Sequence, residues 1–329
     1  MERRKFIKRT MQLGAGLSLP LTMSGFGLKI RDKVQIGLVA DVHQDIIHDG
    51  YARIRFFIEE MNKRKPDFII QLGDFVMPRK RNQAFLDAWN EFEGPRYHVL
   101  GNHDMKDFGF TKEQTMEWWQ LEKPYYSFDH GDFHFIVLNG NEQNPEPWTQ
   151  LYPRYIGPEQ QKWLKNDLVK TSKPTIIFSH QSIESPNGGM ANHEELRKIL
   201  EGQKTSSGQL KTIACLSGHH HADYVKEING IPYIQINSMS YKWVGDEFEY
   251  QRFGPHVEQA YPAVRKTCPY KDPLYTVLTL DPKAGTMHLE GRETGFISPT
   301  PEEIGVPHAA NMSPTITERN LDYPNKSFK

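Results

Sequence analysis

Five polar motifs, each placed directly after a short apolar run, constrain this chain more than any other feature of its 329 residues. The runs are rich in Val, Ile, Phe and Leu and mostly free of charge, which is typical of buried strands. In open α/β sheets, the side chains that meet a ligand collect at the carboxyl ends of the strands. One cleft can therefore hold all of the motifs. They are Asp41-Val42-His43, Gly73-Asp74, Gly101-Asn102-His103-Asp104, Ser179-His180 and Gly218-His219-His220-His221.

Segments with helical periodicity separate the predicted strands, which we place at 34–40, 68–72, 97–100, 175–179 and 212–217. Apolar residues recur at helical spacing from Ile54, from Phe85 and again from Leu196. Pro158 suits the first turn of a further helix, and Asn192 with Glu195 three residues on forms a capping pair. Strands that alternate with helices predict the α/β class.

Further stretches are typical of antiparallel strands, and one pair flanks the tight turn Asn229-Gly230. These stretches are 125–129, 133–139, 224–228, 231–236, 274–281 and 286–292. Together they predict a second sheet. We therefore expect an α/β fold of two stacked mixed β-sheets flanked by helices, a four-layer αββα sandwich with the site at the strand carboxyl ends.

Composition and charge narrow the class of function. With 37% hydrophobic residues the chain can bury a sizeable core, and motifs spread from Asp41 to His221 argue for one domain. A formal net charge of -1 provides no electrostatic footprint for nucleic acid, so we expect no nucleic-acid partner. The basic run Arg79-Lys80-Arg81 follows the second motif and could form a positive rim over the cleft. Solvated surface is the ordinary alternative.

The amino terminus predicts export. Residues 2–8, Glu-Arg-Arg-Lys-Phe-Ile-Lys, resemble the twin-arginine consensus, and the apolar stretch 11–26 that follows is too broken and short for a membrane span. We expect residues 1–30 to be a signal segment read by the export machinery. The mature chain would then have no transmembrane span and a periplasmic or otherwise extracytoplasmic place in a bacterium. A basic, frayed terminus is the alternative.

The carboxyl terminus changes character after about Ile297, where prolines lie among Ser, Thr, Asn and Glu. We interpret 299–329 as a Pro-rich tail that either wraps the surface or is disordered. The chain has two cysteines, Cys215 and Cys268. Their number permits one disulfide, their spacing does not establish it, and a buried, inert Cys215 is the default.

The motif order D-x-H, G-D, G-N-H-D, H, G-H-x-H resembles that of the calcineurin-like metallophosphoesterase superfamily. It covers most of the region 31–298, which we expect to be the metallophosphoesterase domain. The resemblance implies that Asp74 bridges two metals, since a carboxylate can give one oxygen to each of two cations about 3.5–4 Å apart. The implied ligands are Asp41, His43, Asp74 and His221 for one metal, and Asp74, Asn102, His180 and His219 for the other.

The ligand chemistry predicts two divalent transition-metal ions, with Mn, Fe or Zn favoured over Ca or Mg alone, because imidazole and oxygen dominate and thiolate is absent. Two such cations, offset by two carboxylates and one hydroxide, leave a positive site that attracts phosphate. His103 matches the third-motif histidine of the family and is expected to protonate the leaving alcohol. Asp104 is expected to orient it, and His220 to point away from the metals.

The resemblance implies hydrolysis of small phosphodiesters by in-line attack of a metal-bridging hydroxide, without a covalent intermediate. A phosphomonoesterase acting on small organic phosphates is the alternative enzyme, and a non-catalytic binding scaffold is the alternative outside enzymes. A scaffold should lack bridging or acid residues, whereas Asp74, Asn102 and His103 are present.

Because of two departures from the purple acid phosphatase pattern, a ferric tyrosinate site is not expected. Met77 stands where purple acid phosphatases would carry tyrosine, and His43 where they would carry glycine. The D-x-H form is instead similar to the branch that contains cyclic-nucleotide phosphodiesterases.

Residues beyond the later strands are candidates for contacts with the rest of the substrate. They are Gln181, Asn187, Gly188, Tyr241 and Trp243. An aromatic residue there could stack on a base or sugar, and ordinary packing is the alternative.

Overall fold

Two six-stranded sheets pack face to face within the residues that this computed structural model describes, 33–105, 109–145 and 152–323. The expected signal segment, residues 1–30, lies outside them. In chain order the strands are β1 (Val34–Val39), β2 (Phe68–Gln71), β3 (Arg96–His98), β4 (Tyr126–His130), β5 (Phe133–Val137), β6 (Thr175–Ser179), β7 (Thr212–Ser217), β8 (Tyr224–Ile228), β9 (Ile231–Gln235), β10 (Tyr241–Trp243), β11 (Thr267–Pro269), β12 (Thr276–Asp281), β13 (Thr286–Leu289), β14 (Arg292–Glu293), β15 (Thr315–Ile316) and β16 (Arg319–Asp322). The helices are α1 (Gly50–Arg64), α2 (Gln83–Asn90), α3 (Lys112–Trp119), α4 (Pro158–Lys170), α5 (His193–Gly202) and α6 (Pro255–Ala260).

The strand order is β16-β13-β12-β1-β2-β3 in the first sheet and β4-β5-β6-β7-β9-β8 in the second. Strands β1, β2 and β3 run parallel to one another, as do β5, β6, β7 and β9. Helices cover the outer face of each sheet, so the predicted two-sheet αββα architecture is confirmed.

The motif-bearing strands do not share one sheet, because β1, β2 and β3 lie in the first and β6 and β7 in the second. The stretches 274–281 and 286–292, both expected in the second sheet, contribute β12 and β13 to the first, where β12 pairs antiparallel with β1, with Ile36 opposite Leu278. That part of the prediction was wrong. An apolar run shows that a strand is buried, but it carries no information about which sheet edge the strand joins.

Burial on both faces explains the unbroken apolar runs. In β2, Phe68 and Ile70 enter the core between the sheets, whereas Ile69 packs toward α1 and α2. In β6, Phe178 lies between the sheets and Ile177 faces the side covered by α4 and α5. A strand covered on both sides has no polar face, so its sequence does not alternate.

Helix α1 confirms the predicted spacing, since Ile54, Phe57, Ile58 and Met61 are all buried against the first sheet. Helix α3 was not predicted, although Thr111 and Gln114 form a capping box at its start.

The capping pair expected at Asn192 was wrong. Asn192 lies at the cap position, yet its side chain bonds the backbone N–H and C=O of Ile156 at 3.3 and 2.8 Å. The hydrogen bonds of Asn192 with the distant residue Ile156 take the place of the expected cap.

The chain continues into the first sheet well past residue 298. Strand β15 pairs with β14, and β16 pairs with β13 at the sheet edge, so part of the segment assigned to a tail is regular structure.

Cys215 and Cys268 are both buried free thiols. In the described ranges no helix combines the length and the apolar character needed to cross a membrane.

Candidate dimetal site

The first cluster of predicted ligands consists of Asp41, His43 and His221, which follow β1 and β7. Their ligating atoms all lie within 4.8 Å of one another, and all three residues are buried. The Nε2 atoms of His43 and His221 are 3.2 Å apart, and His221 Nε2 lies 3.3 Å from Asp41 Oδ1. We call these three residues the first group.

The second group consists of Asp74, His180 and His219, whose ligating atoms also lie within 4.8 Å of one another. His180 Nε2 lies 3.1 Å from Asp74 Oδ2 and 3.1 Å from His219 Nδ1. The same nitrogen is 3.1 Å from Asn102 Oδ1, so the third motif contributes a neutral oxygen at this point.

Asp74 joins the two groups. Its Oδ2 atom lies 3.1 Å from His180 Nε2 in the second group and 3.5 Å from His43 Nε2 in the first. Both groups offer imidazole nitrogen and carboxylate oxygen without thiolate, a donor set that suits divalent transition metals. The structure thus brings together all seven predicted ligands in an arrangement that fits two cations around a shared carboxylate.

In each of three histidines, the ring nitrogen that faces away from the metal groups forms a hydrogen bond. This bond determines which nitrogen is left to bind a metal. His180 Nδ1 donates to the Leu72 carbonyl at 2.8 Å, and His221 Nδ1 donates to the Tyr241 carbonyl at 2.9 Å. These bonds leave Nε2 of both rings as the ligating atom. His219 is reversed, because its Nδ1 faces the group and its Nε2 lies 2.8 Å from the Tyr152 hydroxyl.

Left-handed backbone places several of these side chains. The φ angles of Asp41, His43, Asp74, His219 and His221 are 50°, 52°, 51°, 77° and 46°. Such angles are uncommon outside glycine, and strained backbone of this kind clusters at functional sites. The strand ends turn sharply so that neighbouring residues can point into one space.

Glycine is required where these strand ends meet. A Cβ on Gly101 would lie 2.1 Å from the backbone nitrogen of Asp74, and one on Gly73 would lie 2.5 Å from His180 Nδ1. Gly73 also has a φ of +95°. Any side chain at either position would push the second group apart.

Comparison with known proteins agrees with this geometry. The sequence model of the calcineurin-like phosphoesterase family matches residues 34–223. The chain belongs to this family. It is also similar to the manganese-dependent ADP-ribose/CDP-alcohol diphosphatases of Oryza sativa subsp. japonica (22% identity over 253 residues, 56% of this chain and 76% of the relative) and of Arabidopsis thaliana (22% over 264 residues, 59% and 82%). This calcineurin-like chain is therefore a metal-dependent phosphoester hydrolase with two metal-binding groups.

Two solved structures share the fold. A dimetal phosphatase from Danio rerio superposes with a TM-score of 0.61 at 14% identity, over 88% of this chain and 99% of that one. GAP50, the anchor in the inner membrane complex of Plasmodium, superposes with a TM-score of 0.55 at 15% identity, over 90% of each chain. At these identities the likeness concerns the fold alone.

His103 lies beside the first group of this phosphoesterase. Its backbone N–H donates to Asp74 Oδ1 at 2.7 Å, and its half-buried ring meets the His43 ring edge-on at 5.0 Å. The ring is thus close to the metal groups without belonging to either of them. This is a suitable place for a proton donor.

Asp104 makes a different set of contacts from the one expected. Its carboxylate accepts backbone N–H groups from four residues, at 2.9, 2.6, 3.1 and 2.8 Å: Asp74, Phe75, Val76 and Gly101. These bonds tie the third motif to the loop that carries Asp74. They give Asp104 a role in positioning that loop, whereas its action on His103 stays a prediction.

The pKa values of Asp74 and His180 are shifted in a way that favours a charge on both side chains. Burial would raise the pKa of Asp74, but His180, His103 and His43 outweigh it and hold that pKa well below its usual range. Burial opposes a charge on His180, yet Asp74 raises the pKa of His180 to about 9. Since cations bind the deprotonated ligand, a cation held by the second group would displace this proton from His180.

The imidazoles of His43 and His219 favour the neutral form. Burial lowers the pKa of His43 well below 6.5, against the attraction of Asp74. Burial and the neighbouring His180 lower the pKa of His219 in the same way. Neutral imidazole is the form that binds a metal.

The candidate substrate contacts divide into buried and exposed residues. Tyr241 is fully buried, with its ring 5.2 Å from that of His43 and 4.9 Å from that of His221, so it cannot stack on a base. Trp243 is 42% exposed, and its ring lies 6.5 Å from that of Tyr241. Gln181 is buried and donates to Asn141 Oδ1 at 3.1 Å.

The loop beyond His180 and the basic run show further contacts. Gly188 packs so closely on His220 that a Cβ there would lie 2.8 Å from Cε1, while neighbouring Asn187 is exposed. His220 bonds the Ser182 hydroxyl at 2.9 Å, outside both groups. Arg79 and Arg81 lie 3.5 and 3.1 Å from Asp45, which offsets part of the positive charge of that run.

Sequence reasoning missed two kinds of residue. The hydroxyls of Ser238 and Ser240 donate to the carbonyls of Asp41 and Val42 at 2.8 Å each, which holds the first motif in place. These serines come soon after β9, so the rule that polar residues collect behind an apolar strand could have found them. Tyr152 lies in a loop and belongs to no motif, so no sequence signal singles it out.

Proposed function

We propose that this phosphoesterase hydrolyses phosphodiester-type bonds in small molecules, with substituted nucleoside diphosphates as the first class to test. The observation that carries the proposal is the contact of Asp74 Oδ2 with both groups, beside the half-buried ring of His103. The printed names of the two plant relatives, at 22% identity, support the substrate class and favour manganese as the cation.

We assign Asp41, His43, Asp74 and His221 to one cation and Asp74, Asn102, His180 and His219 to the other. These residues would hold two divalent cations, which would neutralise charge on the phosphoryl oxygens and lower the pKa of the attacking water. The chain supplies the remaining steps. The two carboxylates and the imidazoles would set the positions of the two cations, and His103 gives a proton to the oxygen of the leaving group.

Trp243 offers a surface for the organic part of such a substrate. Its ring is the half-exposed end of a series that begins with His43 and His221 and continues through Tyr241. A nucleobase stacked on an aromatic ring gains about 1–3 kcal/mol. We expect Trp243→Ala to raise KM for nucleotide substrates while kcat is retained, because Trp243 belongs to neither metal group.

A phosphomonoesterase is the rival activity, whereas membership of the phosphoesterase family argues against the binding scaffold. The likeness to GAP50 concerns the fold, and a fold by itself does not decide activity. Catalysis is supported by the presence of the bridging carboxylate of Asp74 together with His103, since a scaffold needs neither.

The test compares four substrates after the purified protein has been loaded with manganese. ADP-ribose, CDP-choline and bis-p-nitrophenyl phosphate should turn over, and p-nitrophenyl phosphate should turn over poorly. Asp74→Asn treated in the same way is the control for contaminating hydrolases. Turnover of the monoester alone would replace the diesterase assignment with that of a phosphatase, and turnover of none would show that the proposed substrate class is wrong.

We also propose export by the twin-arginine route, supported by Arg3 and Arg4 ahead of the apolar stretch 11–26. These residues lie outside the described part of the chain. Expressed in a bacterial host, the full chain should reach the periplasmic fraction, and the double variant Arg3→Lys, Arg4→Lys should stay in the cytoplasm. Cytoplasmic retention of the unaltered chain would end this proposal without touching the enzymatic one.

A further inference from the structure

The outer nitrogen of His219 meets a side chain, whereas those of His180 and His221 meet backbone carbonyls. The Tyr152 hydroxyl lies 2.8 Å from His219 Nε2, and the two rings meet edge to face at 5.5 Å and 81°. A backbone carbonyl is present whatever the residue, but a phenol can be removed by one substitution. The contribution of this hydrogen bond to the second group can therefore be tested by substituting Tyr152 alone.

The direction of this hydrogen bond follows from the ring geometry. His219 Nδ1 faces the second group, 3.1 Å from His180 Nε2. A neutral imidazole that binds a metal through Nδ1 carries its proton on Nε2. His219 Nε2–H then donates to the Tyr152 oxygen, and this bond favours the tautomer and the ring orientation that binding through Nδ1 requires.

The fold holds the segment that carries Tyr152 against two loops of the second sheet. Buried Arg154 donates to the Gly189 carbonyl at 2.8 Å, and its own carbonyl accepts the N–H of Ala191 at 2.6 Å. The N–H of Tyr155 donates to the Gly140 carbonyl at 2.8 Å. Tyr152 is thus presented to His219 from an anchored piece of backbone.

We propose that Tyr152 is a positioning residue for the second metal, acting through His219. The proposal rests on the ligand assignment made above and not on the substrate class. Partners that hold a metal-binding histidine are commonly worth about 10–100-fold in metal affinity. Loss of the Tyr152 hydroxyl should weaken one cation by that factor and leave the cation at Asp41, His43 and His221 unchanged.

The test is a manganese titration of metal-free protein, followed by calorimetry and by electron paramagnetic resonance. The unaltered protein should bind two cations and show the spectrum of a coupled manganese pair. Tyr152→Phe should bind the first cation normally and the second about 10–100-fold more weakly. Its spectrum should be that of isolated manganese until excess metal restores the coupled pair.

Two further variants separate the hydroxyl from the ring. Tyr155→Phe removes a phenol three residues away in the same segment and should leave both affinities unchanged. Tyr152→Leu removes the ring as well and should lose at least as much as Tyr152→Phe. If Tyr152→Phe keeps both affinities, or if only Tyr152→Leu loses one, the hydroxyl has no positioning role and the proposal is overturned. Metal binding is measured without substrate, so an error in the substrate class would leave this result intact.

Discussion

Both oxygens of Asp74 are engaged, and this makes it the most consequential single residue of the site. Oδ1 accepts the N–H of His103 at 2.7 Å, and Oδ2 lies between His180 and His43. Asparagine keeps the size and one acceptor, but it removes the charge that offsets two cations. Asp74 therefore allows a substitution that tests bridging without disturbing the loop.

We predict that Asp74→Asn loses both metals and lowers turnover by more than about 100-fold, the upper range for loss of an outer partner alone. Metal content and rate should be measured on the same preparation. Asp87→Asn, at an exposed position of α2, is the control and should resemble the unaltered protein. An Asp74→Asn protein that retains two cations per chain would show that Asp74 does not bridge.

His103 allows a second residue-scale prediction, because its ring belongs to neither metal group. His103→Ala should keep two bound metals and slow turnover by about 10²–10⁴-fold for substrates with poor leaving groups. The loss should be small for a p-nitrophenyl leaving group, which needs no proton. Comparing the two substrate types on one variant is the measurement. If purified His103→Ala contained no metal, His103 would be needed for metal binding and its assignment as the proton donor would be wrong.

At the scale of elements, one histidine links two strands and a helix. His134 of β5 bonds Asp129 of β4 at 2.6 Å and Asp167 of α4 at 2.8 Å. Burial works against a charge on His134, but the two carboxylates outweigh it and raise its pKa above 6.5. The raised pKa means that protonated His134 stabilises the fold.

This contact predicts a pH dependence of stability. A raised pKa contributes stability that is complete below about 6.5 and is lost as pH rises through the folded value. We expect His134→Gln to lower the free energy of unfolding by about 1–2 kcal/mol near pH 6 and by less near pH 9. Urea unfolding of both proteins at the two pH values measures this difference. If the difference in the free energy of unfolding between the two proteins increased with pH, protonated His134 would not be the form that stabilises the fold.

The elements differ in how well local pattern predicts them. Helix α1 was predicted because four buried residues recur at helical spacing over a long segment. Strand β3 was expected at 97–100 but spans Arg96–His98, since the register of a short edge strand is set by its neighbour β2. Helix α3 has its own capping box but only two buried residues, Thr115 and Trp119, so its apolar periodicity is faint.

At the scale of the whole molecule, the end of the chain connects the two sheets. Arg319 of β16, in the first sheet, lies 2.7 Å from Asp223, which directly precedes β8 of the second sheet. The two side chains are 11% and 8% exposed. Asp223 also accepts the N–H and the hydroxyl of Thr317, so breaking this mostly buried pair leaves its charge partly compensated and costs about 3 kcal/mol, the lower end of the range for buried pairs.

We therefore predict that Arg319→Met lowers the free energy of unfolding by about 3 kcal/mol. Adding Asp223→Asn should cost less than the two single substitutions together, because the uncompensated charge is then gone. Arg55→Met, which breaks an exposed pair with Glu59, is the control and should change stability by less than about 0.5 kcal/mol. If Arg319→Met and Arg55→Met lowered the free energy of unfolding equally, the contact of Arg319 with Asp223 would not stabilise the packing of the two sheets.

The chemistry of this protein could be predicted from sequence because it depends on residue types at short spacing. An aspartate two residues before a histidine, or a glycine before Asp74, is visible locally, and each follows an apolar strand whose end leads to the cleft. The strand pairing of 274–281, the four bonds to Asp104 and the contact of Tyr152 with His219 were decided by tertiary structure. These features join segments that are far apart in the chain, and their distances follow from the packing of two sheets, which no local pattern encodes.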